Sequence, residues 1–242
     1  MSEKSGKRSG STEGIWTKVG VVAGVLSLIV GYLALAGTNH WPPFGAGGTG
    51  SVLAGAATPH NTYQPDQQAV LLSDPLTSSS GHWVNESAGT GTCDIRPDGL
   101  HAAIDSKNVY HECASKTSAV DFTFEVTFMF GSASGAGIFF RAVGPGSWYN
   151  AQFSKDGDAL ISIGHHSEST NLPDQQLTPP DLAVPHTLAV VAVGDVITFY
   201  VDHEKVLTTR NGTYSSGFMG VYAVNGHPGG DAVFRNAVIW GP

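Results

Sequence analysis

Asp121 and Glu125, in the stretch "VDFTFEVTFMF", are the pair of residues whose type could carry glycosidic-bond chemistry. That chemistry needs one protonated and one ionised carboxyl group, roughly 5 to 9.5 Å apart and turned toward one substrate. The period of two puts Asp121, Thr123, Glu125 and Thr127 on one face and Val120, Phe122, Phe124, Val126, Phe128 and Phe130 on the other. A solvated face opposite a phenylalanine core explains that alternation without catalysis, so no catalytic residue is assigned.

Ten histidines raise the question of a metal. His165-His166 is the densest spot, but adjacent residues at a strand end point opposite ways and do not clamp one ion. Asp156, Asp158 and Asp174 would suit Ca2+, which takes hard oxygens from loops, yet no spaced Asp/Asn ladder accompanies them. No metal site and no cofactor are expected, with Ca2+ left open. There is no Gly-x-Ser-x-Gly elbow to hold a serine nucleophile. Cys93 and Cys113 are read as a disulfide, since a metal site needs more ligands and a lone nucleophile needs no partner. Closing a loop of about twenty residues would stabilise the fold by roughly 3 kcal/mol. Arg141 interrupts the apolar run "GIFFRA", so its charge must be ligand-facing or paired, for example with Glu125.

Positioning such residues begins with the N-terminus. From Val19 to Ala36 no residue is charged, and a helix of about twenty apolar residues reaches roughly 30 Å, the thickness of a bilayer's hydrocarbon core. Residues 1–14 are read as a cytoplasmic tail and 15–37 as a transmembrane helix acting as a signal-anchor. The small-x-small triplet Ala34-Leu35-Ala36 keeps open a cleaved signal peptide. Lys4, Lys7, Arg8 and Lys18 precede the span and no basic residue follows before Arg96. The N-terminus is therefore expected inside and the rest outside, as a single-pass protein of the cell membrane. Gly20 and Gly24 form a GxxxG that could pair helices, but the oligomeric state stays open.

Beyond residue 36 there are eight basic against eighteen acidic residues, a net charge of −10. Such an exterior repels nucleic acid and anionic lipid heads, so the membrane lipid is met only by the N-terminal helix. Residues 38–68, rich in Gly, Ala, Pro and Thr, read as a disordered linker, with Trp41 and Phe44 in the interfacial belt.

From Ala69 to Pro242 short apolar runs alternate with Gly, Pro, Asn and Asp turns and no helical period intervenes, which predicts an all-β antiparallel sandwich. "VITFYVDHEKVLTTR" predicts a hairpin turning at Asp202 to Lys205, and "AQFSKDGDALISI" another turning at Asp156-Gly157. "HHSESTNLPDQQLTPPDLAVPH" predicts a long loop framing a binding face.

The succession "LLSDPLT", a Cys followed by "DGLHAAI", "DFTFEVTFMF", "GAGIFFRAVGPGSWYNAQFSKDGDALISIG", "HTLAVVAVGDVITFYVDHEKVL" and "AVFRNAVIW" resembles the concanavalin A-like (laminin-G-like) jelly-roll domains of the lectin/glucanase superfamily. These occur outside the membrane in actinobacteria, often tethered to a single span. The resemblance covers residues 69–242. It implies two curved sheets with sugar or peptide ligands on the concave face or its rim loops. Phe139, Arg141, Trp148 and Tyr149 match the motif "GIFFR…YY", with Trp-Tyr in place of Tyr-Tyr. The Glu-x-Asp-x-x-Glu pattern of the β-glucanase members is absent. Asn85-Glu86-Ser87 and Asn211-Gly212-Thr213 match the glycosylation acceptor pattern, incidental in the bacterial protein the resemblance implies.

The expectation is a tethered binding or sensing module for an extracellular glycan or cell-wall polymer. Arg141, Trp148, Tyr149 and Asn150 would hold the ligand, because aromatic rings stack on sugar faces while Arg and Asn take hydroxyls. The alternatives are a glycoside-processing hydrolase and a structural domain that contacts another envelope protein.

Overall fold

The computed structural model describes Tyr63 and residues 69–84, 89–144, 146–165 and 168–242. The expected tail, membrane helix and linker other than Tyr63 lie outside these residues, as do Asn85-Glu86-Ser87 and His166. Among the described residues no helix is long and apolar enough to cross a membrane.

Among the described residues fourteen strands follow one another: β1 (Val70–Asp74), β2 (Gly91–Arg96), β3 (Gly99–Ile104), β4 (Tyr110–Ala119), β5 (Phe122–Met129), β6 (Gly135–Gly144), β7 (Ser147–Ser154), β8 (Asp158–His165), β9 (Glu168–Gln176), β10 (His186–Val193), β11 (Val196–Val201), β12 (Glu204–Arg210), β13 (Gly217–Val224) and β14 (Gly230–Trp240). They form two antiparallel sheets. One has six strands in the order β4-β13-β6-β7-β8-β9. The other has eight, in the order β12-β11-β10-β5-β14-β3-β2 with β1 paired to β14.

Alternation builds the core between them. Phe122, Phe124, Val126 and Phe128 of β5 turn inward from the larger sheet, and Ile138 and Phe140 of β6 with Tyr149, Ala151 and Phe153 of β7 meet them from the smaller one. The Phe122 and Phe140 rings meet edge to face at 5.8 Å between centroids. Val120 does not join this face. It lies in the turn before β5 and is 57% exposed.

Both expected hairpins form. Asp202 and His203, with φ of 50° and 68°, make the β11–β12 turn, since two consecutive left-handed residues match the twist of the strands they join. Gly157, at φ 91°, supplies the β7–β8 turn. Part of the expected loop is instead a strand. β9 pairs with β8 at the sheet edge, where Pro173 lacks an N–H but faces a register shift between Leu160 and Ser162. An edge strand tolerates proline at such an irregularity, and polar residues on both its faces hide it from a hydrophobic pattern.

Cys93 of β2 and Cys113 of β4 form a disulfide with Cα atoms 5.5 Å apart. Because β2 and β4 are edge strands of different sheets, the bridge ties the two layers together along one side.

Candidate ligand-binding cleft

β7 sets the site. Its odd positions, Tyr149, Ala151 and Phe153, enter the core, which turns Trp148, Asn150 and Gln152 out of the six-stranded sheet. Neighbouring strands add Glu112 from β4, Tyr222 from β13, Leu160 and Ser162 from β8, and Glu168, Ser169 and Asn171 from β9. Together they line a cleft of about 260 Å³. It is continuous in lining residues with a second, polar hollow bordered by Asp158, Asp174 and Gln176.

Two glycines make the aromatic floor. Trp148 pairs across the ladder with Gly164, where a Cβ would stand 2.9 Å from three indole carbons. Tyr222 pairs with Gly137, where a Cβ would run into the phenol ring. Both rings lie flat on the sheet because those neighbours have no side chain.

The polar groups are unevenly satisfied. The Tyr222 hydroxyl donates to Gln152 Oε1 at 3.2 Å, and burial followed by the Glu112 charge pushes the phenol well above its ordinary range, so it remains a proton donor. Trp148 Nε1 and Asn150 Oδ1 are buried and have no hydrogen-bond partner among the described residues. The contrast with Trp83 is direct. That indole is as deeply buried, but its Nε1 donates to Asp74 Oδ2 at 3.2 Å. A buried donor and a buried acceptor without such partners, two residues apart on one face of β7, suit a ligand that supplies both functions, as a hydroxyl does.

Arg141 and Tyr149 do not reach this cleft. The Arg141 side chain is fully buried and donates to the carbonyls of Val120 at 2.8 Å, Gly194 at 2.9 Å and Tyr214 at 3.3 Å. Its nearest carboxylate is Asp121, at 3.6 Å, rather than Glu125. Burial lowers the guanidinium's pKa while Asp121 opposes that change. The residue sits at φ 51°, where the β6–β7 register shifts, which turns it from the alternation toward these carbonyls. The Tyr149 ring stacks on Phe140 at 5.4 Å inside the core, and its hydroxyl donates to Asn211 Oδ1 at 2.6 Å. Asn211, the acceptor of the second glycosylation pattern, is thereby turned inward.

Glu125 is on the other sheet. It accepts a hydrogen bond of 2.5 Å from the Tyr63 hydroxyl, and His203 Nδ1 stands 2.8 Å from the same hydroxyl. Tyr63 belongs to the stretch expected as linker, yet it is 5% exposed and packs against Tyr200 at 4.5 Å. The carboxylates that line the cleft are Glu112 and Glu168, neither of which stood out in sequence. Alternation from Cys113 places Glu112 opposite the disulfide, but nothing local says that this face is the one with a cleft. His165 Nδ1 lies 3.0 Å from the Tyr214 hydroxyl and is engaged there. Asp156 lies in the β7–β8 turn, and Asp158 Oδ2 accepts from the Ser154 hydroxyl at 3.1 Å.

No protein-family profile matches the chain, and no curated protein matches its sequence. Solved structures do match its shape. The carbohydrate binding module CBM66 from Bacillus subtilis superposes with a TM-score of 0.58 at 19% identity, over 66% of this chain and 96% of that one. A β-glucanase from Bacillus licheniformis gives 0.52 at 13% identity, over 74% of this chain and all of that one. The GH43 protein BlXynB from Bacillus licheniformis gives 0.54 at 12%, over 69% of this chain but only 38% of its own length. With its two antiparallel sheets and this likeness in shape, the described domain has the fold of a concanavalin A-like jelly roll.

Proposed function

We propose that this protein is a membrane-tethered, extracytoplasmic binding module whose cleft takes a glycan or cell-wall polymer. A sugar ring would lie on Trp148, with its hydroxyls accepting from Trp148 Nε1 and donating to Asn150 Oδ1. The observation that carries this reading is that Trp148 and Asn150, each with a buried polar atom that has no hydrogen-bond partner among the described residues, line one cleft. The fold shared with a carbohydrate binding module supports it. Residues 15–37 would hold the chain in the membrane with its N-terminus inside, and a C-terminal tag should then stay with membranes through a carbonate wash.

A glycan and wall-fragment array probed with the full chain tests the ligand class. For any glycan that binds, Trp148→Ala and Asn150→Ala should each weaken affinity about tenfold or more, from lost stacking and a lost hydrogen bond. Binding indifferent to both changes would overturn the reading.

Two observations favour a second reading, a glycoside hydrolase: Glu112 and Glu168 line the same cleft, and the β-glucanase is covered over its whole length. Hydrolysis of any bound glycan that disappears in Glu112→Gln would establish it, because a catalytic carboxyl group cannot lose its charge and keep turnover.

A further inference from the structure

The disulfide has a third member. His111 and Cys113 are two residues apart on β4 and therefore share a face, and Cys93 meets them from β2. The donor atoms Cys93 Sγ, His111 Nε2 or Nδ1 and Cys113 Sγ all lie within 4.8 Å of one another, and His111 Nε2 is 3.2 Å from Cys93 Sγ. A bridged sulfur carries no proton, so Nε2 faces it either as a weak donor or with its lone pair. The imidazole is fully buried and oriented from its far side, where Nδ1 stands 3.0 Å from the buried Thr90 hydroxyl. Its ring rests on Gly91, where a Cβ would come within 2.6 Å of the ring Cγ.

These are the parts of a thiolate-imidazole metal site held in its oxidised form. We propose that the reduced protein binds one Zn2+ through Cys93, His111 and Cys113. A dithiol reductant breaks the sulfur–sulfur bond, delivering two electrons and two protons, and leaves as its own disulfide. Ion binding then releases both thiol protons. Two thiolates and a neutral imidazole give Zn2+ a centre with no net formal charge, which a buried site tolerates. Around a tetrahedral ion with Zn–S of about 2.3 Å and Zn–N of about 2.0 Å, donor atoms sit roughly 3.5 to 3.8 Å apart. His111 and Cys93 are already close to that spacing, and the released sulfurs must separate. Thr90 would accept from Nδ1–H, the outer hydrogen bond that fixes a ligating histidine's tautomer and direction. Cys93 is part-exposed, so water can reach the fourth position. The two sheets would then be joined along this edge in either redox state, by a covalent bond or by an ion.

Cobalt is the probe. The full chain, purified in detergent, reduced with dithiothreitol and desalted anaerobically, is titrated with Co2+. One equivalent should give thiolate-to-cobalt charge-transfer absorption and tetrahedral visible bands, which one equivalent of Zn2+ removes. The oxidised chain should give neither. Cys93→Ser and Cys113→Ser should lose the charge-transfer bands, and His111→Gln should weaken Co2+ at least tenfold. Zn2+ should raise the melting temperature of the reduced wild type but not that of reduced His111→Gln. Absence of the thiolate bands in reduced wild type would overturn the proposal. So would affinity unchanged in His111→Gln, or a reduced chain that unfolds and is not returned to protease resistance by Zn2+.

Discussion

The outward faces of the two sheets carry similar residues to different ends. On the six-stranded sheet the outward positions of β7, β8 and β13 hold Trp148, Asn150, Gln152, Ser162 and Tyr222, arranged around a cleft, with two buried polar atoms that have no partner among the described residues. On the eight-stranded sheet the outward positions of β5 and β11 hold Thr123, Glu125 and Tyr200, and there a carboxylate and an aromatic ring find their partners within the protein. Tyr63 covers the ring of Tyr200, donates to Glu125 and meets His203. Composition therefore does not separate the proposed binding face from the structural one. The difference is whether the polar groups are satisfied by the chain itself.

The strongest way to sharpen that comparison is to remove a group that is fully satisfied. Arg141→Leu leaves the carbonyls of Val120, Gly194 and Tyr214 without their shared donor and Asp121 without its cation. It should destabilise the domain by about 3 to 5 kcal/mol, read as a lower denaturation midpoint in urea. A loss under about 1 kcal/mol, with glycan binding abolished, would return Arg141 to the ligand.

The two sheets should also differ in how they respond to acid. Burial holds the imidazole of His111, on β4, down at about 4. The unfolded chain therefore binds the extra proton between pH 6.5 and 4, and this stabilisation is complete above 6.5 and lost as pH falls toward 4. In the oxidised protein it amounts to about 3 kcal/mol. His186, on β10, goes the other way. Its hydrogen bond to Asp202 raises its pKa, so its contribution is present below 6.5 and lost as pH rises through the folded value. Urea midpoints measured from pH 4 to 8 should show a steep acid limb in wild type that is flattened in His111→Gln, while Asp202→Asn should lower stability mainly at the acid end.

On the cleft side, Gly164→Ala should force the Trp148 ring off the sheet. It should weaken glycan binding about as much as Trp148→Ala, while Tyr149→Phe, which loses a core hydrogen bond, should cost about 1 kcal/mol of stability and leave affinity alone. The smallest effect is expected on the far sheet. Glu125→Gln and Tyr63→Phe should each change stability by about 1 kcal/mol or less and leave glycan affinity and any hydrolysis unchanged. A changed affinity there would mean that the outer face of the eight-stranded sheet takes part in recognition.

Period-two patterning, turn residues and the short apolar runs were enough to specify an all-β sandwich, its β7–β8 and β11–β12 hairpins and the phenylalanine face of β5, because those signals are local. They also require Trp148 and Asn150 to share a face that Tyr149 does not. Alternation is unchanged when the two faces are exchanged, so which one meets solvent was settled only by packing, where Phe140 and Asn211 draw Tyr149 inward. The same limit hid Arg141, whose partners are backbone carbonyls from three separate segments. It hid β9 as well, whose edge position leaves it no hydrophobic period. Cys93 and Cys113 suggested their own pairing, and alternation puts His111 on the face of Cys113, but His111 meets Cys93 only because two edge strands of different sheets are brought together. A sequence carries the period of each strand, whereas the choice of outward face and the meeting of distant strands depend on the burial available once the layers have closed.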